Sequence, residues 1–345
     1  MTMAGTEEYK LYESVRRSIC RGIFDGTYQD GDFIPPERKL SEDLGVSRVT
    51  VRKALDLLAE ERIICREQGR GTKVSLYYGP RRHDLDIITV VAPAHNAFFA
   101  NFMGAFQTEA EKSDSLVLYK QKPKGMPLED CLYKLYEKGI HNVVLWLEDM
   151  EIREEALRIL RGLGMNLVLF DCPAATPYAD SVCIDNRHAI ESLYAYLRAC
   201  GCGKVAYVGW DQPNVGNIRA REAFFRTFAP EGLVCRIPWK YAGSASVPSA
   251  VSEELRARLE GCDGVLYSLG ELGIALERNF QAQGAAHRAA TMDYYSGADE
   301  LKMASLEQDF AAMTEIILRR FREQNQTEKD AEPTVYYVQG KVRRE

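Results

Sequence analysis

Leu11, Val15, Ile19 and Ile23 recur at every fourth position, the apolar stripe of an amphipathic helix. Gly26 ends that pattern, and Gly31, Pro35 and Pro36 make a loop. A short helix is expected at 37–44, broken by Gly45, and Ser47 is a natural N-cap for a third helix. In that helix Val51, Ala54, Leu55 and Leu58 fall on one face. Residues 63–66 and 73–76 then read as two short strands around the hairpin tip Gln68-Gly69-Arg70-Gly71. Residues 9–74 therefore read as one compact unit of three helices and a hairpin.

Residues 77–84, YYGPRRHD, carry turn formers between periodic segments and are expected to be a linker. From residue 85 short apolar runs alternate with helical patterns. Strands are expected at 87–91, 116–119, 143–147, 167–170, 205–208, 265–267 and 289–292. Between them Phe99, Phe102, Met103 and Phe106 form one helical stripe, and Ile190, Leu193, Tyr194 and Leu197 another. Alternating β and α predicts an α/β domain of parallel sheets flanked by helices. Its length is too great for one ordinary sheet, so two lobes are expected. The resulting division is residues 1–76, a linker at 77–84, and 85–345. The polar run 323–333, EQNQTEKDAEP, is expected to be a surface loop.

Charge changes the picture of the first unit. The chain carries a net charge of −6, but residues 1–82 hold 15 Lys and Arg against 13 Asp and Glu, which leaves −8 for the remainder. The larger part should repel nucleic acid, so any DNA contact must come from specifically placed side chains of the first part. The nine cysteines are scattered without a C-x-x-C pair, and even Cys200 and Cys202 lack a second pair or a nearby His, so reduced thiols and no metal site are expected. No stretch approaches the roughly 18 apolar residues of a membrane span, and MTMAGTEEYK lacks the marks of a secretory signal. A cytoplasmic location is expected.

The segment 34–58, IPPERKLSEDLGVSRVTVRKALDLL, is helix, tight turn, helix. In a helix-turn-helix the second helix enters the major groove with its first residues at the base edges. Here those residues are Ser47, Arg48, Val49, Thr50 and Arg52. Arg48 and Arg52 lie about 40° apart around the axis, and Arg can fork onto guanine O6 and N7. On spacing alone a solvated helix face with two Arg is an equal reading. The motifs GTYQDGD (26–32), PPER (35–38), GVSRVTVR (45–52) and GRGTKV (69–74) stand in the order of the GntR-family winged helix, which this stretch resembles. The resemblance implies that Arg38, Arg48, Thr50, Arg52 and Gly69 hold DNA-contacting positions, with Arg70 adding charge at the tip. By the same resemblance Gln68 matches a tip residue of the arabinose-repressor branch, and Tyr12 matches a phosphate-contacting Tyr. Val49 stands where many members have a polar residue.

In open α/β sheets ligands bind beyond the carboxyl ends of strands. The residues at those places are Asn96, Phe98, Phe99, Asp171, Asp185, Trp210 and Asp293. Carboxylates and amides suit sugar hydroxyls, and aromatic rings cover the apolar face of a sugar. Phe98 and Phe99 also fit a core, and Asp185 fits a helix N-cap. Residues 86 onward resemble the LacI-type, periplasmic-binding-protein-like effector domain through VVAPAHNAFF (90–99), SVCIDN (181–186), GCGKVAYVG (201–209), REAFFRTF (221–228), MDYYS (292–296), LEQDF (306–310) and the C-terminal TVYYVQGKVRRE. That family binds small molecules, mostly sugars, between two lobes. The resemblance carries the cleft positions to Asn96, Phe99, Asp185, Arg221 (or Arg219 in the alternative register), Asp293 and Gln308. It departs from the family at Leu269-Gly270, where an Asn-Asp pair is usual, and at Cys202, where a His is usual. Glu271 is the nearest replacement for the lost polar pair.

No G-x-x-x-x-G-K-[ST], H-E-x-x-H or G-x-S-x-G is present, and the five His do not cluster in sequence, so no enzyme, catalytic residue or cofactor is expected. The expected function is a transcriptional regulator, a repressor relieved by ligand. It would act as a homodimer on a pseudo-palindromic operator and sense a carbohydrate, with no membrane partner. Two rivals share some of these residues. One is a DNA-binding regulator with a degenerate or non-sugar sensor, and the other is an exported solute-binding protein.

Overall fold

The computed structural model describes residues 3–79, 83–93, 96–148, 150–241, 247–326 and 333–344, with backbone only for 3–10. Linker residues 80–82 and loop residues 327–332 lie outside the described residues.

The first unit is built from α1 (Met3–Phe24), α2 (Glu37–Leu44), α3 (Arg48–Glu60), β1 (Ile64–Glu67) and β2 (Gly71–Val74). Val15, Ile19 and Ile23 bury the stripe of α1, whereas Leu11 is 46% exposed and drops out of it. Gly45 adopts φ 64°, a left-handed turn that ends α2, and the Ser47 hydroxyl accepts from Thr50 N to start α3. The strands pair antiparallel as a wing, Ile64 opposite Val74 and Glu67 opposite Gly71. The second strand begins two residues earlier than the apolar pattern predicts, because Gly71 already pairs with Glu67.

The rest forms two lobes. The first holds β3 (Ile87–Ala92), α4 (Ala97–Glu111), β4 (Leu116–Gln121), α5 (Leu128–Glu137), β5 (Asn142–Trp146), α6 (Glu154–Gly162), β6 (Asn166–Phe170) and β7 (Asp180–Ile184). The chain then crosses into α7 (Asn186–Ala199), β8 (Val205–Asp211), α8 (Gly216–Phe228), β9 (Val234–Pro238), α9 (Ser249–Arg258), β10 (Gly264–Tyr267), α10 (Gly270–Ala282), β11 (Arg288–Thr291), α11 (Ser296–Glu300) and β12 (Ala304–Glu307). It returns through α12 (Phe310–Gln326) and β13 (Val335–Val338) to the first lobe and ends in the second with β14 (Lys341–Arg343). The strand orders are β13-β7-β6-β5-β3-β4 and β14-β12-β11-β10-β8-β9. All described pairings between named strands of the two lobes are parallel except β12 with β14.

The α/β reading and the two lobes agree with this architecture. Five of its strands, β7, β9, β12, β13 and β14, were not among those expected from apolar runs. The polar run 323–333 is corrected at its start: residues 323–326 continue α12, with Gln324 and Asn325 buried. Gln324 Nε2 donates to Asp180 Oδ2 at 2.7 Å, and Asn166 Nδ2 donates to Asn325 Oδ1 at 2.7 Å, so these polar residues are hydrogen-bonded inside the lobe, although Gln324 Oε1 has no partner.

The apolar core of the first unit continues into the first lobe. Val15, Ile19 and Ile23 share one buried cluster with Leu128, Leu132, Tyr133 and Tyr136 of α5. Arg16 Nη2 donates to Tyr136 Oη at 3.2 Å and to Glu61 Oε2 at 2.8 Å. The expected linker is itself packed at its start: Tyr78 accepts from Arg158 of α6 and lies 6.0 Å from the ring of Tyr178.

Candidate functional site

The first candidate surface lies on α3 and the wing. Arg48 and Val49 are exposed at the start of α3, Val49 at 71%, and Arg38 is exposed on α2 beside Glu42. Arg52 projects from the same face and is braced by Glu37, Nη2 to Oε2 at 3.0 Å. Arg52 holds the Glu37 carboxyl below its usual range, so the pair is charged at neutral pH. Thr50 differs from expectation. It is 7% exposed, and its hydroxyl shares a 2.8 Å hydrogen bond with Ser47 Oγ, so it braces the helix start instead of facing outward.

Gln68, Gly69 and Arg70 form the exposed wing tip, with Gly69 at φ 77°. Arg70 is paired with Glu67 at 2.9 Å. Tyr12 lies beside α3 with Lys53 Nζ 4.5 Å above its ring. Four exposed arginines, a methyl-bearing valine and a glycine-rich tip on one small unit offer groove-edge donors and a backbone that can approach a phosphate.

The second candidate site is a cleft of about 540 Å³. Its wall includes Asn96 and Phe98 at the start of α4, Trp146 at the end of β5 with Glu148 just beyond, and Asp171 beyond β6. Asn217 and Arg221 of α8, Leu269 before α10 and Asp293 after β11 face them. Asn96 also caps α4, its Oδ1 accepting from Phe99 N at 2.9 Å.

Arg221 is 2% exposed and is held by Asn186 Oδ1 and Ser268 O, each at 2.8 Å. Its Nη1 lies 4.0 Å from Asp293 Oδ2. Asn186 Nδ2 donates to Asn217 Oδ1 at 2.7 Å, and Asn217 Nδ2 donates to the Asp171 carbonyl at 2.5 Å. A continuous polar chain thus runs from the end of β6 in one lobe to the buried arginine of the other.

The carboxyl groups here are strained by burial. Desolvation pushes Asp171 up to about 7 despite the attraction of Arg221. It also raises Asp293, against Arg221, a hydrogen bond from Gln308 and the Gly270 N–H at the start of α10. Asp171 Oδ1 and Asp293 Oδ2 have no hydrogen-bond partner. Both residues also hold positive φ, 52° and 61°, which fixes the backbone just beyond the strands.

The structure brings together Asn96, Phe98, Asp171, Arg219, Arg221 and Asp293 from the sequence expectations. Arg221 is the buried partner of Asp293, while Arg219 is exposed at the rim. Gln308 lines an adjoining pocket of about 440 Å³ and bonds Asp293. The remaining candidates lie elsewhere. Phe99 is fully buried and stacked on Trp146 at 5.3 Å and 7°. Asp185 caps α7, accepting from His188 N at 3.0 Å. Trp210 is 9% exposed behind Trp239, and Glu271 is exposed on α10 outside both pockets.

Trp146, Glu148, Asn217 and Trp239 were missed. The strand-end rule applied to 143–147 points to Glu148, Trp146 is the last residue of β5 itself, and Trp239 follows β9, which the apolar pattern did not reveal. Cys202 is a buried free thiol bonded to Asp263 O at 3.3 Å, and all nine cysteines are free. Among the described residues no group of three or more His, Cys, Asp or Glu is placed to hold a metal ion, and no helix is long and apolar enough to cross a membrane.

With the helix-turn-helix and wing described, comparison with known proteins decides the type of the first unit. Residues 11–74 match the family model described as bacterial regulatory proteins, gntR family. Over 75 residues this GntR-type unit is 40% identical to the Probable fructoselysine utilization operon transcriptional repressor of Escherichia coli (strain K12), covering 21% of this chain and 31% of that protein. Over 65 residues it is 38% identical to the HTH-type transcriptional regulator GgaR of the same organism, covering 19% and 26%. The matched segment thus spans less than a third of the length of these relatives.

The lobes have the fold of LacI-type regulators. A LacI family transcriptional regulator from Enterococcus faecium with bound ribose superposes with a TM-score of 0.62 at 16% identity, covering 75% of this chain and 97% of that one. The Cra transcriptional dual regulator from Pseudomonas putida in complex with fructose 1-phosphate gives 0.62 at 18%, covering 76% and 99%. The CelR–cellobiose complex gives 0.60 at 17%, covering 86% and 89%.

Proposed function

We propose that this chain is a transcriptional regulator whose GntR-type unit binds operator DNA and whose cleft senses a carbohydrate. The observation that carries the reading is the joining, in one chain, of an outward-facing Arg48 at the start of α3 to a cleft lined by Phe98, Trp146, Asp171, Arg221 and Asp293. Such a lining matches the needs of a sugar: carboxylate and guanidinium groups for hydroxyls and rings for the apolar face. Relatives named as repressors and structural neighbours with bound ribose and cellobiose support it. No catalytic role is assigned to any residue. A chain that binds chromosomal DNA in this way would work in the cytoplasm.

The loss of an Asn-Asp pair at Leu269-Gly270 does not argue for a dead sensor. The cleft keeps Asn96, Asp171, Arg221 and Asp293 in its wall, and Gly270 contributes its N–H to Asp293. Two subunits would set two winged helices on successive half-sites of a pseudo-palindrome. The strand β4 suits the pairing: it is an outer strand with Leu116 67% and Leu118 43% exposed. Ligand would favour one arrangement of the lobes, and because α1 packs on α5 the winged helix would move with the first lobe. A typical coupling is about 1–3 kcal/mol, with repression relieved by ligand.

The test is to select operator duplexes from a randomised pool and then compare Arg48→Ala and Arg52→Ala on the selected site. Each is expected to weaken binding by roughly 1–3 kcal/mol and to relax base preference. Full affinity in both variants overturns the DNA assignment.

A further inference from the structure

We infer that the cleft is built for a carbohydrate carrying a protonated amine, and that it excludes phosphorylated and acidic sugars; this deepens the proposed sensing role and rests on it. Among its described lining residues are four carboxylates, Glu148, Glu151, Asp171 and Asp293, and two guanidinium groups, Arg219 and Arg221. The positive groups do not offset the negative ones where a ligand would sit. Arg221 is buried and directed by Asn186 and Ser268, with its charge shared between Asp293 and Asp171. Arg219 is solvated at the rim, where its field is weakened by water.

Asp293 is 4% exposed, lines the cleft, and has one oxygen without a hydrogen bond. A buried acceptor of that kind is costly until a donor arrives. Phe98, Trp146 and Trp239 complete the wall with the π faces and edges that attract a cation as well as a sugar ring. An ammonium group here would meet acceptors on both lobes, Asp171 on one and Asp293 on the other. A phosphate or carboxylate would meet Asp293, Glu148 and Glu151 as like charges in a partly dry site and would oppose the ionisation of Asp171.

Asp171 supports the same conclusion. Its carboxyl titrates near neutrality because burial opposes ionisation, with Arg221 opposing that shift and Asp293 and Glu148 adding to it. An arriving cation favours the ionised form, so its binding should release a proton from Asp171 into solvent.

The experiment is a thermal-shift and calorimetric panel on the full chain at about pH 6, where the sugar amines are already protonated and Asp171 is the group that changes its proton on binding. It uses glucosamine, galactosamine, mannosamine and the disaccharide of glucosamine. Each is paired with its neutral parent and its N-acetyl form, and the monosaccharides also with their 6-phosphates. At least one amine-bearing sugar is expected to bind tenfold or more tighter than its neutral and N-acetyl counterparts, with no binding of phosphates. Proton release should appear as a dependence of the binding heat on the buffer's ionisation enthalpy, and it should vanish in Asp171→Asn. The double variant Glu148→Gln, Glu151→Gln, at exposed or half-buried positions, should narrow the preference for the amine. Binding of a neutral sugar or a 6-phosphate as tightly as its amine overturns the inference and leaves the sugar-sensing reading standing. No binding by any member, with the protein folded and operator binding intact, overturns both.

Discussion

The carbonyl oxygen of Asp293 fills the space that a side chain at position 270 would need: a Cβ on Gly270 would lie 2.3 Å from it, and 2.6 Å from the Tyr295 ring. Neither neighbour can yield cheaply, since one is backbone and the other is packed. The glycine therefore lets the start of α10 press against the residue that holds the cleft floor, and its N–H reaches the Asp293 carboxylate. Gly270→Ala is expected to cost about 1–3 kcal/mol by overpacking and to displace Asp293. A lowered melting temperature with weakened ligand binding, and unchanged operator affinity without ligand, is the expected combination. A variant that binds ligand normally would show that Asp293 is not positioned through this contact.

The raised carboxyl of Asp171 sets a pH dependence. Its ordinary value is 3.8 and its folded value about 7, so between these pH values the folded state holds a proton that the unfolded state has lost. Folding stability from this group therefore falls as pH rises through that window and levels off above 7. Asp171→Asn lacks the titration. Its melting temperature relative to the native chain should be higher at pH 8 than at pH 5. An equal difference at both pH values would mean that Asp171 does not titrate in the folded protein.

Phe24 of α1 stacks on Tyr133 of α5, ring centroids 4.4 Å apart, and the Arg21 guanidinium lies 5.0 Å from the centre of the Tyr133 ring. These contacts tie the winged helix to the first lobe. Phe24→Ala is expected to cost roughly 1–2 kcal/mol of stacking and burial and to loosen that attachment. Operator affinity should then depend less on ligand, while ligand affinity itself stays near normal. Binding assays with and without saturating ligand read this directly, and an undiminished response would place the coupling elsewhere.

The outer strand β4 gives the prediction for assembly. Leu116→Asp with Leu118→Lys places charges on an apolar surface and should yield monomers by sedimentation, with weaker binding to a two-half-site operator but not to a half-site. A dimer that persists would move the interface away from β4.

The DNA-facing unit was largely legible in the sequence because its determinants are local. Gly45 takes the left-handed turn, Ser47 caps α3, and Val51, Ala54, Leu55 and Leu58 repeat on one face, all within fifteen residues. Thr50 escaped this reading, since its inward direction depends on a hydroxyl pair with Ser47. The strand-end rule likewise placed Asn96, Phe98, Asp171 and Asp293 near a cleft, because every parallel strand delivers its last residues to the same edge.

Phe98 and Phe99 mark the limit. They are neighbours on α4 about 100° apart around the axis. Only packing decides that Phe99 stacks on Trp146 in the core while Phe98 reaches the cleft. The strands β13 and β14 are short and half-exposed, and each is stabilised by a partner far away in sequence, Val335 opposite Ser181 and Arg343 opposite Ser305. Periodicity thus determined the local elements and the edge at which ligands gather. Tertiary contact decided which carboxylates were stripped of water and which arginine was buried, because desolvation belongs to the whole enclosure and to no single segment.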